Sequence, residues 1–416
     1  MGPARRAFLF NAARRGYNGS LRVPGPPRVS RRLRESCLMF LLNELLLLSP
    51  LIVYAFLRVL WLIKDRALKV VFGVFFALLI AAFPAAETLS HRGAGGWLKG
   101  VMIAGYDALP LLMYLVLTVV LADLAIAAAR LLKLISKETV RATGFRHGRL
   151  AAVLIIPVLV VAAGIVNFHW LRIREYTVEV PRKSSPLSEL TIAFASDFHL
   201  GAITEDGFMN RFVAKVQAAN PDIVLIGGDI LEGDRRNEDT SQFEAQFRRL
   251  HLKYGVYAVP GNHERHGGTG KDFFDGAGIR LLEDAVVKID DAFYLAGRND
   301  ARSRNRKSAA DLLKDTPGDL PLILLDHRPT DLEAISRTGT DIQLSGHTHH
   351  GQLFPINWIT NHQYELSWGY IKKNRTHIFV TSGVQLWGPP VRTAGSSEIL
   401  IIHVLFRERA GDNRLP

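Results

Sequence analysis

Apolar and polar positions divide the chain into two unlike halves. Four apolar runs fill much of the first, at residues 38–63, 67–86, 101–129 and 150–168. Each approaches or exceeds the roughly 20 residues that an α-helix needs to cross a bilayer. They predict an N-terminal all-α transmembrane bundle of about four helices over residues 38–170. Polar residues interrupt them: Asn43, Glu44 and Arg58 in the first, Pro84 late in the second, Asp107 and Asp123 in the third. The acids have two readings at this point. They lie near helix ends or pair within the bundle, or they are functional intramembrane charges. The first run starts too far into the chain, and is too closely followed by a second, for a simple cleaved signal.

From residue 190 the period shortens. Apolar runs of strand length occur at 190–195, 222–226, 255–259, 278–282, 285–289, 293–297, 320–325, 341–344, 377–382 and 398–404. Helical stretches alternate with them. Residues 208–219 carry apolar positions near helical spacing and stop at Asn220-Pro221. Residues 240–252 place Phe243, Phe247 and Leu250 at i, i+4 and i+7, a buried face. The pattern predicts a basic, disordered tail (1–37), a transmembrane region (38–170), a linker (171–189), one α/β domain (190–405) and a polar tail (406–416). No repeat of solenoid period is evident.

Charge sharpens the division. Residues 1–189 hold 25 of the 51 Lys+Arg and 10 of the 39 Asp+Glu, a balance of +15, while residues 190–416 balance at −3. The net charge of +12 therefore belongs to the first half. The second half has no positive field of the kind that draws nucleic acid, so no nucleic-acid partner is expected, and no obligate protein partner is indicated. The basic residues flank the apolar runs, as membrane topology requires. The nine arginines before the first run favour an inside amino terminus and a cytoplasmic second half. The loops argue the reverse, with three Lys/Arg at 64–69 and six at 130–149 against Arg92 and Lys99 in the connection between. Translation starting at Met39 would remove the nine arginines from the balance. The preferred expectation is an integral inner or cell-membrane protein with its second half on the extracytoplasmic side. Cys37 is the only cysteine, so no intrachain disulfide is possible.

The candidate chemistry follows the strand-like runs. Asp197-Phe198-His199, Gly228-Asp229, Gly261-Asn262-His263-Glu264, Asp326-His327 and Gly346-His347-Thr348-His349 each come directly after one. In an open α/β sheet the carboxyl ends of strands gather along one rim, where ligands bind. Five such ends would deliver imidazole, carboxylate and amide ligands to one place, which is how a two-metal hydrolytic centre is built. These donors suit manganese, iron or zinc better than calcium. Taken singly, each has a plainer reading. Aspartate after a strand is a common helix cap, and the glycines are common turn residues.

Together and in this order, the segments resemble the calcineurin-like metallophosphoesterase superfamily. Its pattern is D-x-H, G-D, G-N-H-E/D, a lone H and G-H-x-H, and the match covers roughly residues 190–405. The string Gly346-His347-Thr348-His349-His350-Gly351-Gln352 resembles the bacterial, often membrane-anchored branch with G-H-T-H-x-G-Q. The resemblance implies two packed mixed β-sheets flanked by helices. It implies two divalent metal ions, with Asp197, His199 and His349 on the first. Asn262, His327 and His347 would bind the second, and Asp229 would bridge both. His263 would face the substrate phosphate without ligating. The implied activity is hydrolysis of phosphate mono- or diesters by water that the metal pair activates. The chain departs from the family at Glu232, where many relatives carry Asp, and at Asp326, where relatives often have a small or apolar residue. Asp326 reads either as orienting His327 or as a solvent-exposed strand-end acid. Asp300 is a further site candidate, in Gly297-Arg298-Asn299-Asp300.

Two segments bear on substrate. Residues 298–307 hold five Lys/Arg. They read as a second phosphate or anionic headgroup site, or as a solvated loop. Residues 354–370 contain Trp358, Tyr364, Trp368 and Tyr370 and, with Trp387, read as an aromatic lid or membrane-contacting lip, or as a local mini-core. A substrate that is a phospholipid or is lipid-linked fits a tethered enzyme. Rival readings are a UDP-diacylglucosamine-type pyrophosphatase in lipid A synthesis, a non-catalytic metal-binding scaffold, and a transporter.

Overall fold

The computed structural model describes residues 48–90, 96–201, 203–232, 240–267 and 271–408. The basic tail, Glu44 and the opening of the first apolar run lie outside them. The run's described part is helix α1 (Leu48–Leu62). After it come α2 (Arg66–Ser90), α3 (Trp97–Leu131), the short α4 (Lys137–Arg141) and α5 (Thr143–His169). Helices α2, α3 and α5 are each long and apolar enough to cross a membrane, so three helices of spanning length stand among the described residues.

Small residues let these helices touch. A Cβ at Gly105 of α3 would meet Ala86 Cβ of α2 at 2.6 Å and Ala82 O at 2.7 Å, the close backbone approach that glycine permits between membrane helices. Asp123 is paired inside the bundle, one of the two readings of its sequence. It accepts from Arg58 Nε at 2.6 Å and Nη2 at 2.8 Å, and also from Arg149.

Residues 172–407 carry two six-stranded mixed sheets. The first has the order β1 (Arg172–Pro181), β12 (Glu398–Arg407), β2 (Glu189–Ala195), β3 (Ile223–Ile226), β4 (Val256–Ala258), β5 (Ile279–Leu281). The second runs β10 (Gly369–Lys373), β11 (Thr376–Val380), β9 (Ile342–Ser345), β8 (Leu322–Leu325), β7 (Phe293–Gly297), β6 (Ala285–Ile289). Alternation along each strand sends successive side chains to opposite faces. Ile192 and Phe194 of β2 therefore meet Phe293, Leu295, Ile323 and Leu344 of the second sheet between the layers. Ala193 and Ala195 face outward, where α6 (Phe208–Ala219), α7 (Ser241–Phe247) and α9 (Lys271–Ala277) cover the first sheet with Phe212, Phe247 and Phe274. The second sheet is covered by α10 (Ala309–Leu313) and α11 (Leu332–Ser336) through Leu312, Leu313 and Ile335.

Three segments differ from expectation. Residues 171–189 are not only a linker, because β1 pairs with β12 in parallel from Arg172↔Glu398 to Pro181↔Arg407. It is an edge strand with charges at Arg172, Arg174, Glu175 and Glu179, which mask its alternation; only Val178 and Val180 are buried. β12 runs to Arg407, past the expected boundary at 405. Residues 354–370, singled out in the sequence only for their aromatic side chains, contain α12 (Ile356–Gln363) and the start of β10.

Candidate metal centre

The site is built where β2, β3 and β4 of one sheet and β8 and β9 of the other reach their carboxyl ends. The donors thus come from the ends of both sheets rather than from one rim. Backbone pairing continues past the strands and aims the loops. Asp197 N donates to Gly228 O and His199 N to Asp229 O, both at 3.0 Å, and Leu200 bridges Leu231. Asp197, His199, Asp229, His347 and His349 all take left-handed φ values between 42° and 72°. Such conformations cost of order 1–3 kcal/mol each and persist where the surroundings over-determine them. Close approach also requires glycine here. A Cβ at Gly346 would collide with Ser196 Oγ and Asp197 Oδ2.

The donors gather in groups. In each of the groups Asp197, His199, His349 and Asp229, His327, His347, one ligand atom per residue lies within 4.8 Å of the others. His199 Nε2 and His349 Nε2 are 3.3 Å apart, and His349 Nε2 is 3.6 Å from Asp197 Oδ1. In the second group His327 Nε2 is 3.2 Å from both Asp229 Oδ2 and His347 Nδ1. Asp229 Oδ2 also lies 4.0 Å from His199 Nε2, so one carboxylate oxygen stands between the two groups. His327 Nδ1 donates to Gly227 O at 2.7 Å, which fixes the tautomer and leaves Nε2 to face the site. Asn262 opens α8 (Asn262–Gly267), and its Oδ1 accepts from Arg328 Nη2 at 3.3 Å. The next backbone N–H, that of His263, donates to Asp229 Oδ1 at 2.8 Å.

His263 and His199 share an acid. Glu232 Oε2 takes His199 Nδ1 at 2.6 Å, and Glu232 Oε1 lies 3.2 Å from His263 Nδ1. The extra methylene over aspartate lets one carboxylate reach both rings, which stand edge to face at 4.7 Å. Burial alone would lower the His263 pKa, but the Glu232 charge outweighs it and pushes the ring up to about 9. Burial alone would raise Asp229, and the neighbouring His327 holds it well below the usual carboxylate range. The Asp229 carboxylate in turn raises His327 to about 10 against its own burial, so a cation at Nε2 would take the place of a proton there. Burial pushes His347 and His349 down, so both stay neutral and keep lone pairs for a cation.

Residues 190–351 match the family description "calcineurin-like phosphoesterase". An uncharacterized metallophosphoesterase of Aquifex aeolicus strain VF5 is 31% identical over 260 residues, which span 60% of this chain and 97% of that protein. The chain belongs to the calcineurin-like metallophosphoesterase family. An uncharacterized metallophosphoesterase of Helicobacter pylori strain J99 is 30% identical over 260 residues, 59% of this chain and 70% of that protein. A zebrafish (Danio rerio) protein named "transmembrane protein with metallophosphoesterase domain" is 30% identical over 295 residues, 65% of this chain and 66% of its own. The metallophosphoesterase is thus a metal-dependent phosphoesterase by family, with helices suited to a membrane.

Several residues around the centre had no assigned role in the sequence or take a different one. The buried Glu264 accepts from Gly261 N at 2.7 Å and Asp229 N at 2.9 Å through Oε2, and from Ile230 N at 2.6 Å through Oε1. It ties the Asp229 loop to the Asn262 loop. Arg392 is fully buried, and its guanidinium donates to Ser382 O at 2.7 Å and Gln385 O at 2.9 Å. Gln385 N in turn donates to Asp197 O. Asp326 is neither a surface acid nor the partner of His327. It is buried and held by Arg298 Nη1 at 2.7 Å and Arg306 Nη2 at 2.6 Å. Two of the five basic residues at 298–307 therefore neutralise an internal acid. Asp300 is buried 3.4 Å from Arg328 Nε, and Arg328 in turn donates to Asn262.

Proposed function

We propose that this metallophosphoesterase hydrolyses phosphate mono- or diesters at a dinuclear centre. Asp197, His199 and His349 would hold one ion, Asn262, His327 and His347 would hold the other, and Asp229 would serve both. The observation that carries this reading is the place of Asp229 Oδ2, 3.2 Å from His327 Nε2 and 4.0 Å from His199 Nε2. The donor set fits the group: carboxylates, imidazoles and an amide, with no thiolate, suit manganese, iron or zinc. Two such ions, when bound, neutralise phosphoryl oxygens and lower the pKa of water.

The chain's own residues do the rest. The Glu232 charge favours the protonated form of His263 and lies against its Nδ1, which leaves Nε2 for the substrate. From there His263 gives a proton to the leaving oxygen or holds charge on the phosphoryl group. Glu264 ties the loop that carries Asp229 to the turn that leads into His263. The spanning helices favour a phospholipid or lipid-linked ester, and the loop charges favour an extracytoplasmic domain.

The test uses the purified full chain with p-nitrophenyl phosphate and bis-p-nitrophenyl phosphate, under manganese, zinc or EDTA. The reading expects turnover that EDTA abolishes and that Asp229→Asn and His263→Ala reduce by about 10²-fold or more. Turnover that survives both variants would exclude it.

A further inference from the structure

The segment after the last histidine motif is fastened to the membrane helices. Tyr114 of α3 donates to Phe354 O at 2.8 Å, and Thr393 Oγ1 accepts from Phe354 N at 2.8 Å. Leu353 and Val391 pack with Tyr114 and Val161 in one buried cluster. A Cβ at Gly164 of α5 would meet Val391 Cγ1 at 2.6 Å. Asn167 Nδ2 donates to Arg392 O at 2.9 Å.

These contacts set a depth. The apolar run of α5, residues 150–168, spans about 28 Å at about 1.5 Å per residue. A hydrocarbon core is about 30 Å thick, so the whole run is needed to cross it. Val161 lies about 10 Å inside the run's end at Phe168 by the same rise. Trp170, just beyond His169 and exposed, stacks with the Arg172 guanidinium 4.7 Å from its ring, as interfacial anchors do. Measured along α5, the docked segment would therefore lie level with the outer part of the hydrocarbon.

What projects beside it is apolar and uncovered. Phe354, Ile356, Trp358, Ile359 and Trp387 are 42%, 37%, 64%, 65% and 51% exposed. No residue of α12 is buried, so these side chains form no mini-core. At its other end α12 meets the site, where the Tyr364 ring lies 6.3 Å from the His347 ring. A single eight-residue helix, about 12 Å long, thus runs from the apolar patch to the metal centre.

We propose that α12 and Trp387 lie in the lipid leaflet beside the metal centre as an interfacial element, and that the enzyme takes its phosphate ester from an amphiphile in that leaflet. Interfacial helices bury their apolar face about 5–10 Å into the headgroup and acyl boundary, which agrees with the depth fixed by Val161. The second half of the proposal rests on the phosphoesterase reading above; the first does not.

The test reconstitutes the full chain, carrying Cys37→Ser and Ile359→Cys with a nitrobenzoxadiazole label, into phosphatidylcholine vesicles with and without doxyl-labelled phosphatidylcholine. A label at Lys314→Cys, on the far side of the second sheet, is the control. We expect the label at 359 to lose about half its emission to the doxyl lipid and the control to lose none. Equal emission at 359 in both vesicles would overturn the docking, as would protection that rises only with protein-to-lipid ratio, the sign of a second copy on the patch. This readout needs no catalysis, so failed docking and a failed phosphoesterase reading are told apart. For the substrate, phosphatidic acid and phosphatidylglycerol vesicles are compared with soluble p-nitrophenyl esters. Trp358→Ser with Ile359→Ser should lower lipid turnover about ten-fold and leave the soluble esters unchanged. Undiminished lipid turnover would overturn the substrate assignment.

Discussion

Glu264 offers the sharpest test of how the centre is held. Its carboxylate is buried and takes three backbone donors within 3.0 Å, Gly261 N, Asp229 N and Ile230 N. Glu264→Ala leaves all three without an acceptor. Each orphaned buried donor costs about 1–3 kcal/mol. Relief from burying a carboxylate, whose pKa burial raises, offsets part of that sum. A net loss of about 3–5 kcal/mol follows, a large share of the roughly 5–15 kcal/mol that holds a typical domain together. For a domain of this size each kcal/mol moves the melting temperature by about 2–4 °C, so Glu264→Ala should melt about 6–20 °C lower. Glu264→Gln keeps one acceptor oxygen and the volume, and should fall between. The assay is thermal unfolding of the full chain followed by near-ultraviolet circular dichroism. A Glu264→Ala protein melting within about 2 °C of the parent would refute the view that this carboxylate organises the two loops.

Other substitutions separate the parts of the account. Gly346→Ala forces a Cβ onto Ser196 and Asp197, so metal content by mass spectrometry should fall while far-ultraviolet dichroism is kept. Asp326→Asn leaves the Arg298 and Arg306 charges buried without their acid, and should cost about 3–5 kcal/mol in denaturant unfolding. Glu232→Gln removes the charge that lifts His263 to about 9. The acid form of His263 is present below its pKa and lost as pH rises through it, so the basic limb of the kcat–pH profile should move to lower pH. A limb that stays in place would show that His263 is not the titrating group.

The alternation of the second half made much of its fold readable. The runs at 285–289 and 293–297 are β6 and β7 residue for residue, and 208–219 is α6. β1 was not readable, because an edge strand needs few buried side chains and this one alternates charges with them. The ordered motifs pointed to the residues that gather at the centre. Their supports were hidden for a physical reason. Glu264 and Arg392 bind backbone groups, those of Glu264 at Asp229 and Ile230 lying 35 and 34 residues away, and backbone partners leave no trace in residue identity. Asp326 shows the limit of adjacency. Consecutive side chains at a strand end point to opposite sides, so Asp326 turns to Arg298 and Arg306 while His327 enters the centre. Within 354–370, Phe354 is held at its backbone by Tyr114 of α3 and Trp368 by Glu398 of β12, partners that the segment's own residues do not reveal.

The central claim is a pair of ions bridged by Asp229, and a metal titration tests it most directly. The chelated full chain would receive manganese or zinc in steps while bound metal and p-nitrophenyl ester hydrolysis are followed together. The account predicts about two ions per chain, with turnover rising mainly with the second, and loss of both in Asp229→Asn. Full turnover with a single ion, or turnover indifferent to metal in the folded chain, would contradict it.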